Sequence, residues 1–260
     1  MNITVLLRMV PDVVEELEIA PDGRRLDDEM LRMILSESDD HALEQALLLK
    51  ECLGGSVTAI APEASEVNDA LYTAVAKGAD RAMKLTGLAA GGSTTVLARA
   101  FARVLSGGAG VVPADLILTG VQAHDDLDGL LAPLVAHHLG LPHVSIVTRV
   151  QVAADRKTAI VAREYPGGVH GEFEVPLPAV LGIQAAEKPP RYVPVAKVRA
   201  AMKSARIEEL DQAAWEVPPA QIEVLRMDKP EVSSHAEMIE GTPDAMALRV
   251  CEILDARGLL

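Results

Sequence analysis

The chain has 260 residues, 49% hydrophobic and 24% charged, with a formal net charge of −14. This is enough apolar material for the core of one large or two modest domains, and it excludes a disordered chain. So acidic a surface disfavours nucleic acid and anionic membranes, and no run approaches the ~18 apolar residues of a membrane-spanning helix.

The opening "MNITVLLRMVPD" reads as a strand and a turn, not a secretory signal, so a cytoplasmic chain, or a mitochondrial-matrix one in a eukaryote, is expected. Ile3 to Leu7 is an apolar run, the mark of a buried strand, broken by Pro11 and Asp12. "EELEIAPDGRRLDDE" alternates around Asp22-Gly23 and predicts a short hairpin. Ser38 or Asp39 then caps a helix in which Ala42, Leu43, Ala46, Leu47 and Leu49 recur at helical spacing, ended by Gly54-Gly55. "SVTAIAP" is a second buried strand, Ser65 to Lys77 a helix closed by Gly78, and "RAMKL" a third strand. Thr94 to Leu105 is a helix, "DLILTG" a fourth strand, and Asp128 to Leu139 a helix closed by Gly140. Alternating strands and helices with short links mean a doubly wound, mainly parallel α/β sheet with helices on both faces. Ligands on such sheets lie beyond the carboxyl ends of the strands, at Arg8–Asp12, Pro62–Ser65 and Gly120–Leu131.

After Gly140 the strand-like segments "HVSIVTRVQVAA", "KTAIVAREYPGG", "HGEFEVPLP" and "AVLGIQ" can extend the sheet with antiparallel pairs. The chain turns Pro-rich and basic from Glu187. Turns at Pro218-Pro219, Lys229-Pro230 and Thr242-Pro243 precede a closing helix, Asp244 to Arg257. So weak an apolar pattern cannot fold alone and must lie along its own domain or a partner. Three regions result: residues 1–186 as a nucleotide-binding-like domain, 187–206 as a recognition loop and basic helix, and 207–260 as an extended arm. Cys52 and Cys251, both in apolar helical contexts, are expected to be buried free thiols.

The stretch "LTGVQAHDDLDGLLAPLVAHHLG" has a strand–loop–helix layout, yet its loop carries carboxylates and no Lys, Arg, Ser or Thr after Gly120. Amides at a helix N-terminus can hold phosphate without any side chain, and Gly129 lets backbone approach closely. Asp125, Asp126 and Asp128 oppose that anion. They read either as an acidic helix start, with Asp128 the cap, or as a Mg²⁺ site. His124 and Asp125 have no Ser or Cys placed to complete a triad. His137 and His138, one residue apart on a helix, point in different directions. Nucleotide-loop and metalloprotease signatures are absent, so no catalytic residues are assigned.

At this point the chain resembles the beta subunit of electron transfer flavoprotein. The pieces that carry it are "RMVPD", "SESDDHALEQALLLKE", "ALYTAVAKGADRAMKL", "LILTGVQAHDD", "AREYPGG", "PLPAVLGIQ", "PPRYVPVAKVRAAMK" and "GTPDAMALRVCEIL". The resemblance implies an adenine-nucleotide alpha-hydrolase-like fold and a heterodimer with an alpha subunit that holds most of the FAD. It implies an electron carrier, not an enzyme, between flavin-dependent dehydrogenases and a quinone reductase-type acceptor. In the family the beta subunit binds AMP or, in electron-bifurcating members, a second FAD. Those contacts would fall on Leu6 and Arg8, Ser36, Ser38 and Asp39, Pro62 and Glu63, and on Gly120, Gln122, Asp125, Asp126, Asp128, Gly129, Leu130 and Leu131. Flavin-facing aromatics of the family correspond to Val13 and Ser38. Where the family carries hydroxyl and amide side chains at the phosphate, this chain has Asp128-Gly129-Leu130-Leu131. AMP is therefore doubtful, and a diphosphate spread along the loop, as in a second FAD, suffers less repulsion. Arg191 to Lys203 matches the family's partner-recognition loop, with Val195 as an apolar plug among Arg191, Tyr192, Lys197, Arg199 and Lys203. The alternative is a stand-alone nucleotide-binding module of the universal-stress type. The strand-rich stretch 143–184 and the long arm count against it.

Overall fold

Val5, Leu6 and Leu7 have no exposed surface, as expected where a parallel strand is covered on both faces. The computed structural model describes residues 1–27, 31–88, 93–107, 111–212, 223–230 and 238–259. In chain order it contains β1 (Asn2–Leu6), β2 (Met9–Pro11), β3 (Met33–Leu35), α1 (Glu37–Leu53), β4 (Ser56–Pro62), α2 (Val67–Lys77), β5 (Arg81–Thr86), α3 (Thr94–Leu105), β6 (Leu116–Gly120) and α4 (Leu131–Leu139). Then follow β7 (His143–Val152), β8 (Thr158–Tyr165), β9 (Val169–Pro176), β10 (Ala179–Ile183), α5 (Val195–Ser204), β11 (Ile207–Asp211) and α6 (Pro243–Ala256).

The main sheet has the order β11-β5-β4-β1-β6-β10-β7-β8-β9. Every pairing from β11 to β7 is parallel, and β7-β8-β9 is antiparallel. The fold is thus the doubly wound, mainly parallel α/β sheet with antiparallel additions. The period-2 alternation of β1 sends Ile3, Val5 and Leu7 to one face, where they pack with Ala42, Leu43 and Leu47 of α1 and Leu71 of α2. Leu6 points to the other face, with Phe101 and Val104 of α3 and Val135 of α4.

Several expectations are corrected. β10 does not extend the antiparallel edge. It inserts between β6 and β7, parallel to both, because Val180 and Leu181 need cover on both faces. The expected hairpin is reduced to an Ile19–Leu26 bridge, and the loop's firmer element is the unexpected antiparallel pair of β2 and β3. Pro11, read as a breaker, is tolerated at the end of this two-stranded ladder, where little backbone donation is required. Helix α4 begins at Leu131, not Asp128, and its first turn has no side-chain cap. Cys52 and Cys251 are exposed, not buried, since each lies on a solvent-facing side of its helix. Residues 207–211, placed with the arm by sequence, form the edge strand β11. The Pro218-Pro219 turn lies outside the described residues. Among the described residues, no helix is long and apolar enough to cross a membrane.

Candidate functional site at the carboxyl end of the sheet

The winding reverses between β1 and β6: β4 and β5 lie on one side of β1, and β6 on the other. The crevice expected beyond their carboxyl ends is crossed by the first turn of α1. Asp39, fully buried, accepts from the backbone N–H of Arg8 through Oδ2 (2.9 Å) and from that of Gly120 through Oδ1 (2.7 Å). Gly120 permits this approach: a Cβ there would lie 2.2 Å from Ser38 Oγ and 2.5 Å from Asp39 Oδ1.

Arg8, also buried, lays its guanidinium between two acids. Its Nε lies 3.5 Å from Asp39, and its Nη1 donates to Asp126 Oδ2 at 2.8 Å. Asp126 Oδ1 in turn accepts from Thr94 Oγ1 at the start of α3 and from the N–H of Asp128, both at 3.1 Å. The acidic loop therefore has its cation after all, delivered from the end of β1. Asp128 is not a helix cap; its N–H closes a turn onto Asp126. Burial pushes the Asp39 carboxyl above its ordinary pKa against the pull of Arg8 and the two amide bonds. At Asp126 burial also pushes upward, but the Arg8 hydrogen bond, the Asp128 N–H, the Arg8 charge and Thr94 together carry the pKa below the ordinary value. Burial raises Asp125, opposed chiefly by the charge of Arg8.

Beside this network lies a polar cleft of about 470 Å³, lined in part by Ser38, His41, Gln122, His124 and Gln184. Ser38 Oγ donates to the carbonyl of Gln122 (2.8 Å), and Gln122 Nε2 to that of Asp126 (2.6 Å). His124 Nε2 lies 2.8 Å from the Pro11 carbonyl and joins the end of β2 to the loop after β6.

The structure thus brings together Arg8, Ser36, Ser38, Asp39, Gly120, Gln122 and Asp126. Asp125, Asp128, Gly129 and Leu130 follow on the same loop. Others are elsewhere. Leu6 and Leu131 are core residues without exposed surface, Val13 is exposed on the outer loop, and Glu63, beyond Pro62, faces Lys84 at 3.9 Å. Sequence reasoning passed over Thr94, His41 and Gln184. Thr94 had a legible signal, since "GGSTT" stands between a strand and a helix.

A sequence profile described as "Electron transfer flavoprotein domain" matches residues 25–215. The chain is 30% identical to a Methylophilus methylotrophus protein named electron transfer flavoprotein subunit beta, with 98% of each chain covered. It is 32% identical to the protein of that name from Clostridium acetobutylicum, with 92% of each covered. It is 28% identical to the mitochondrial one of Arabidopsis thaliana, covering 94% of this chain and 95% of the relative. The chain belongs to the electron transfer flavoprotein family. A stand-alone universal-stress module is set aside, because the match runs on through β7–β11.

Against this family's nucleotides, the crevice fits a terminal phosphate poorly. Among the described residues Arg8 Nε and Nη2 are buried donors without a hydrogen-bond partner, but the positive charge is already shared by Asp39 and Asp126, with Asp125 close by. Asp126 has taken Thr94 and the Asp128 N–H. Gly129, Leu130 and Leu131 bring no side-chain donor, and Pro133 removes an amide from the first turn of α4. At an effective dielectric of about 20, one like-charge pair ~6 Å apart costs roughly 2–3 kcal/mol, against the ~0.3–1 kcal/mol a helix terminus typically returns. The neighbouring cleft presents amide, hydroxyl and imidazole groups together with the carboxylates of Glu37 and Asp126.

The segment from Arg191 to Lys203, expected from the resemblance to meet a partner, is outward-facing. Tyr192 is 84% and Val195 62% exposed, and Lys197, Arg199 and Lys203 line the same exposed helix α5, which packs on α2 and buries Ala201. Arg191 turns inward, with Nη2 2.8 Å from Glu44 Oε1 and Nη1 2.6 Å from Glu51 Oε1.

Proposed function

We propose that this chain is the beta half of a heterodimeric electron carrier. With an alpha subunit that holds most of the FAD, it takes electrons from flavin-dependent dehydrogenases and passes them to a quinone reductase-type acceptor. The observation that carries this reading is end-to-end similarity, 98% of both chains, to a protein named as a beta subunit. The flavin supplies the electron-accepting ring. This chain's residues shape what surrounds it: Asp39 and Gly120 fix the crevice floor, and Ser38, His41, Gln122 and His124 offer polar edges. Tyr192 and Val195 offer an apolar contact, and Lys197, Arg199 and Lys203 the charge that guides a partner. A small apolar contact with a basic rim suits a weak, fast-exchanging encounter. The acid-rich crevice argues against AMP, so any second nucleotide is a flavin dinucleotide held along the loop. In this reading residues 1–186 are the nucleotide-type domain, 187–206 the docking segment, and 207–260, apart from the edge strand β11, an arm on the alpha subunit. Helix α6, which buries none of its residues in this chain, suits such an arm.

Co-expression with the alpha subunit from the same source tests the reading. A yellow heterodimer should form and lose its colour on mixing with a reduced flavin-dependent dehydrogenase. A chain that stays monomeric in the presence of that subunit, or a heterodimer without flavin, would overturn it.

A further inference from the structure

Along one stripe of α1 stand His41, Glu44 and Gln45, three and four residues on, and Glu51, seven residues beyond Glu44. They face the segment that leaves β10 and leads to α5. His41 Nδ1 accepts from the N–H of Ala186 (3.2 Å), Gln45 Oε1 from that of Glu187 (3.1 Å), and Glu44 Oε2 from that of Arg191 (3.0 Å). Pro189 and Pro190 have no N–H, so side chains of α1 hold three of the four backbone donors that residues 186–191 possess. A helix here does what a neighbouring strand would do, through side chains instead of a ladder.

The last of these holds is the strongest. Glu44, 3% exposed, also takes Arg191 Nε (2.9 Å) and Nη2 (2.8 Å), while Nη1 reaches Glu51. Hydrogen bonds donated to Glu44 and then to Glu51 raise the Arg191 pKa further above its ordinary value. Beyond Arg191 the chain is held far less: Tyr192 and Val195 are exposed, and α5 buries only Ala201.

We propose that Glu44 and Arg191 are positioning residues for partner docking: their clamp sets the exposed segment from Tyr192 to Val195 in its docking conformation before a partner arrives. The inference rests on the carrier reading. A segment already ordered loses less freedom on binding, so the clamp improves the encounter without touching the flavin. The same helix carries Asp39 five residues before Glu44, ~7.5 Å along the axis at 1.5 Å per residue, so the clamp and the crevice share one rigid rod.

The test uses the heterodimer with its alpha subunit. Arg191→Gln alone would strand the buried Glu44 carboxylate, so the main variant is the neutral pair Glu44→Gln/Arg191→Gln. Glu51→Gln is the mild variant, and Asp80→Asn, which breaks the Lys50 ion pair elsewhere on α1, is the control. Deuterium uptake is followed at residues 192–199. Reduction is followed with a flavin-dependent dehydrogenase chosen because it reduces the wild type, and separately with dithionite. Expected are faster uptake confined to that segment and a KM for the heterodimer raised roughly ten-fold at unchanged kcat, a loss of pre-organisation alone. Dithionite reduction and the flavin spectrum should not change, and Glu51→Gln should fall between wild type and the pair. Wild-type uptake and KM in the neutral pair would overturn the proposal. So would uptake raised throughout the chain with kcat falling alongside, or the same KM change in Asp80→Asn. If no dehydrogenase reduces the wild type, the carrier reading fails separately, and uptake at 192–199 still decides whether the clamp orders the segment.

Discussion

Asp39 Oδ1 stands 2.7 Å from the backbone nitrogen of Gly120, while its other oxygen holds the nitrogen of Arg8, so one carboxylate ties the ends of two adjacent parallel strands. The tie depends on the absence of a side chain at residue 120.

Gly120→Ala should therefore destabilise the chain by about 3 kcal/mol. A Cβ would overlap Ser38 Oγ and the Asp39 backbone nitrogen, 2.7 Å away, and overpacking typically costs ~1–3 kcal/mol, with more if the buried carboxylate loses an amide partner. At ~2–4 °C per kcal/mol for a chain of this size, the melting temperature should fall by roughly 6–12 °C. An unchanged melting temperature would mean that α1 can retreat from β6 without cost.

Asp126 gives a pH dependence of defined sign. Its folded-state pKa lies below the ordinary aspartate value, despite burial, because of Arg8, the Asp128 N–H and Thr94. Its contribution to stability is therefore complete above the unfolded pKa of about 3.9 and disappears as pH falls through the folded one. Asp126→Asn should lower the melting temperature at pH 7, and the gap to wild type should close as the pH drops below about 4. A gap that stays constant from neutral to acid pH would show that the carboxylate charge contributes nothing to the loop.

Docking should separate into an apolar and an electrostatic part. Val195→Ala should slow reduction by a dehydrogenase at every ionic strength. Charge reversal of Lys197 and Arg199 to Glu should slow it most at low salt, because exposed charges are screened beyond ~8–10 Å at physiological ionic strength. The flavin spectrum should be unaffected in both. Unchanged reduction rates in both would exclude α5 as the docking helix.

Denaturing the purified heterodimer and counting what it releases addresses the crevice directly. Flavin dinucleotide is expected without stoichiometric AMP, since Asp126 already uses Thr94 and the Asp128 amide that a phosphate would need. One equivalent of AMP surviving extensive dialysis would show that the carboxylates turn away.

The sequence was most informative where one physical signal dominated. The bounds of α3, Thr94 to Leu105, follow from its Ser-Thr start and the helical recurrence of Ala98, Phe101 and Val104. The pairing of Arg8 with Asp126 was not legible, because 118 residues separate them and only the return of β6 beside β1 brings them together. The same distance explains the misreading of Asp128. Without Arg8 in view, Asp126 reads only as part of an acidic helix start or a Mg²⁺ site, and Asp128 as the cap of a helix that in fact starts three residues later. Parallel insertion of β10 was equally hidden, since an apolar run such as Ala179–Ile183 states that both faces are covered but not by which neighbours.

That insertion constrains how the sheet can be assembled. β6 and β7 are consecutive strands, yet they never pair; the place between them is kept for a strand that begins 36 residues after β7 does, about 120 Å of extended chain. Until β10 arrives, the β1–β6 half and the β7–β9 hairpins each present an open, apolar edge to any other chain. A chain cut between β9 and β10 would keep both edges permanently, and it should self-associate. A circular permutation that made β10 part of the N-terminal half would close the first of them early.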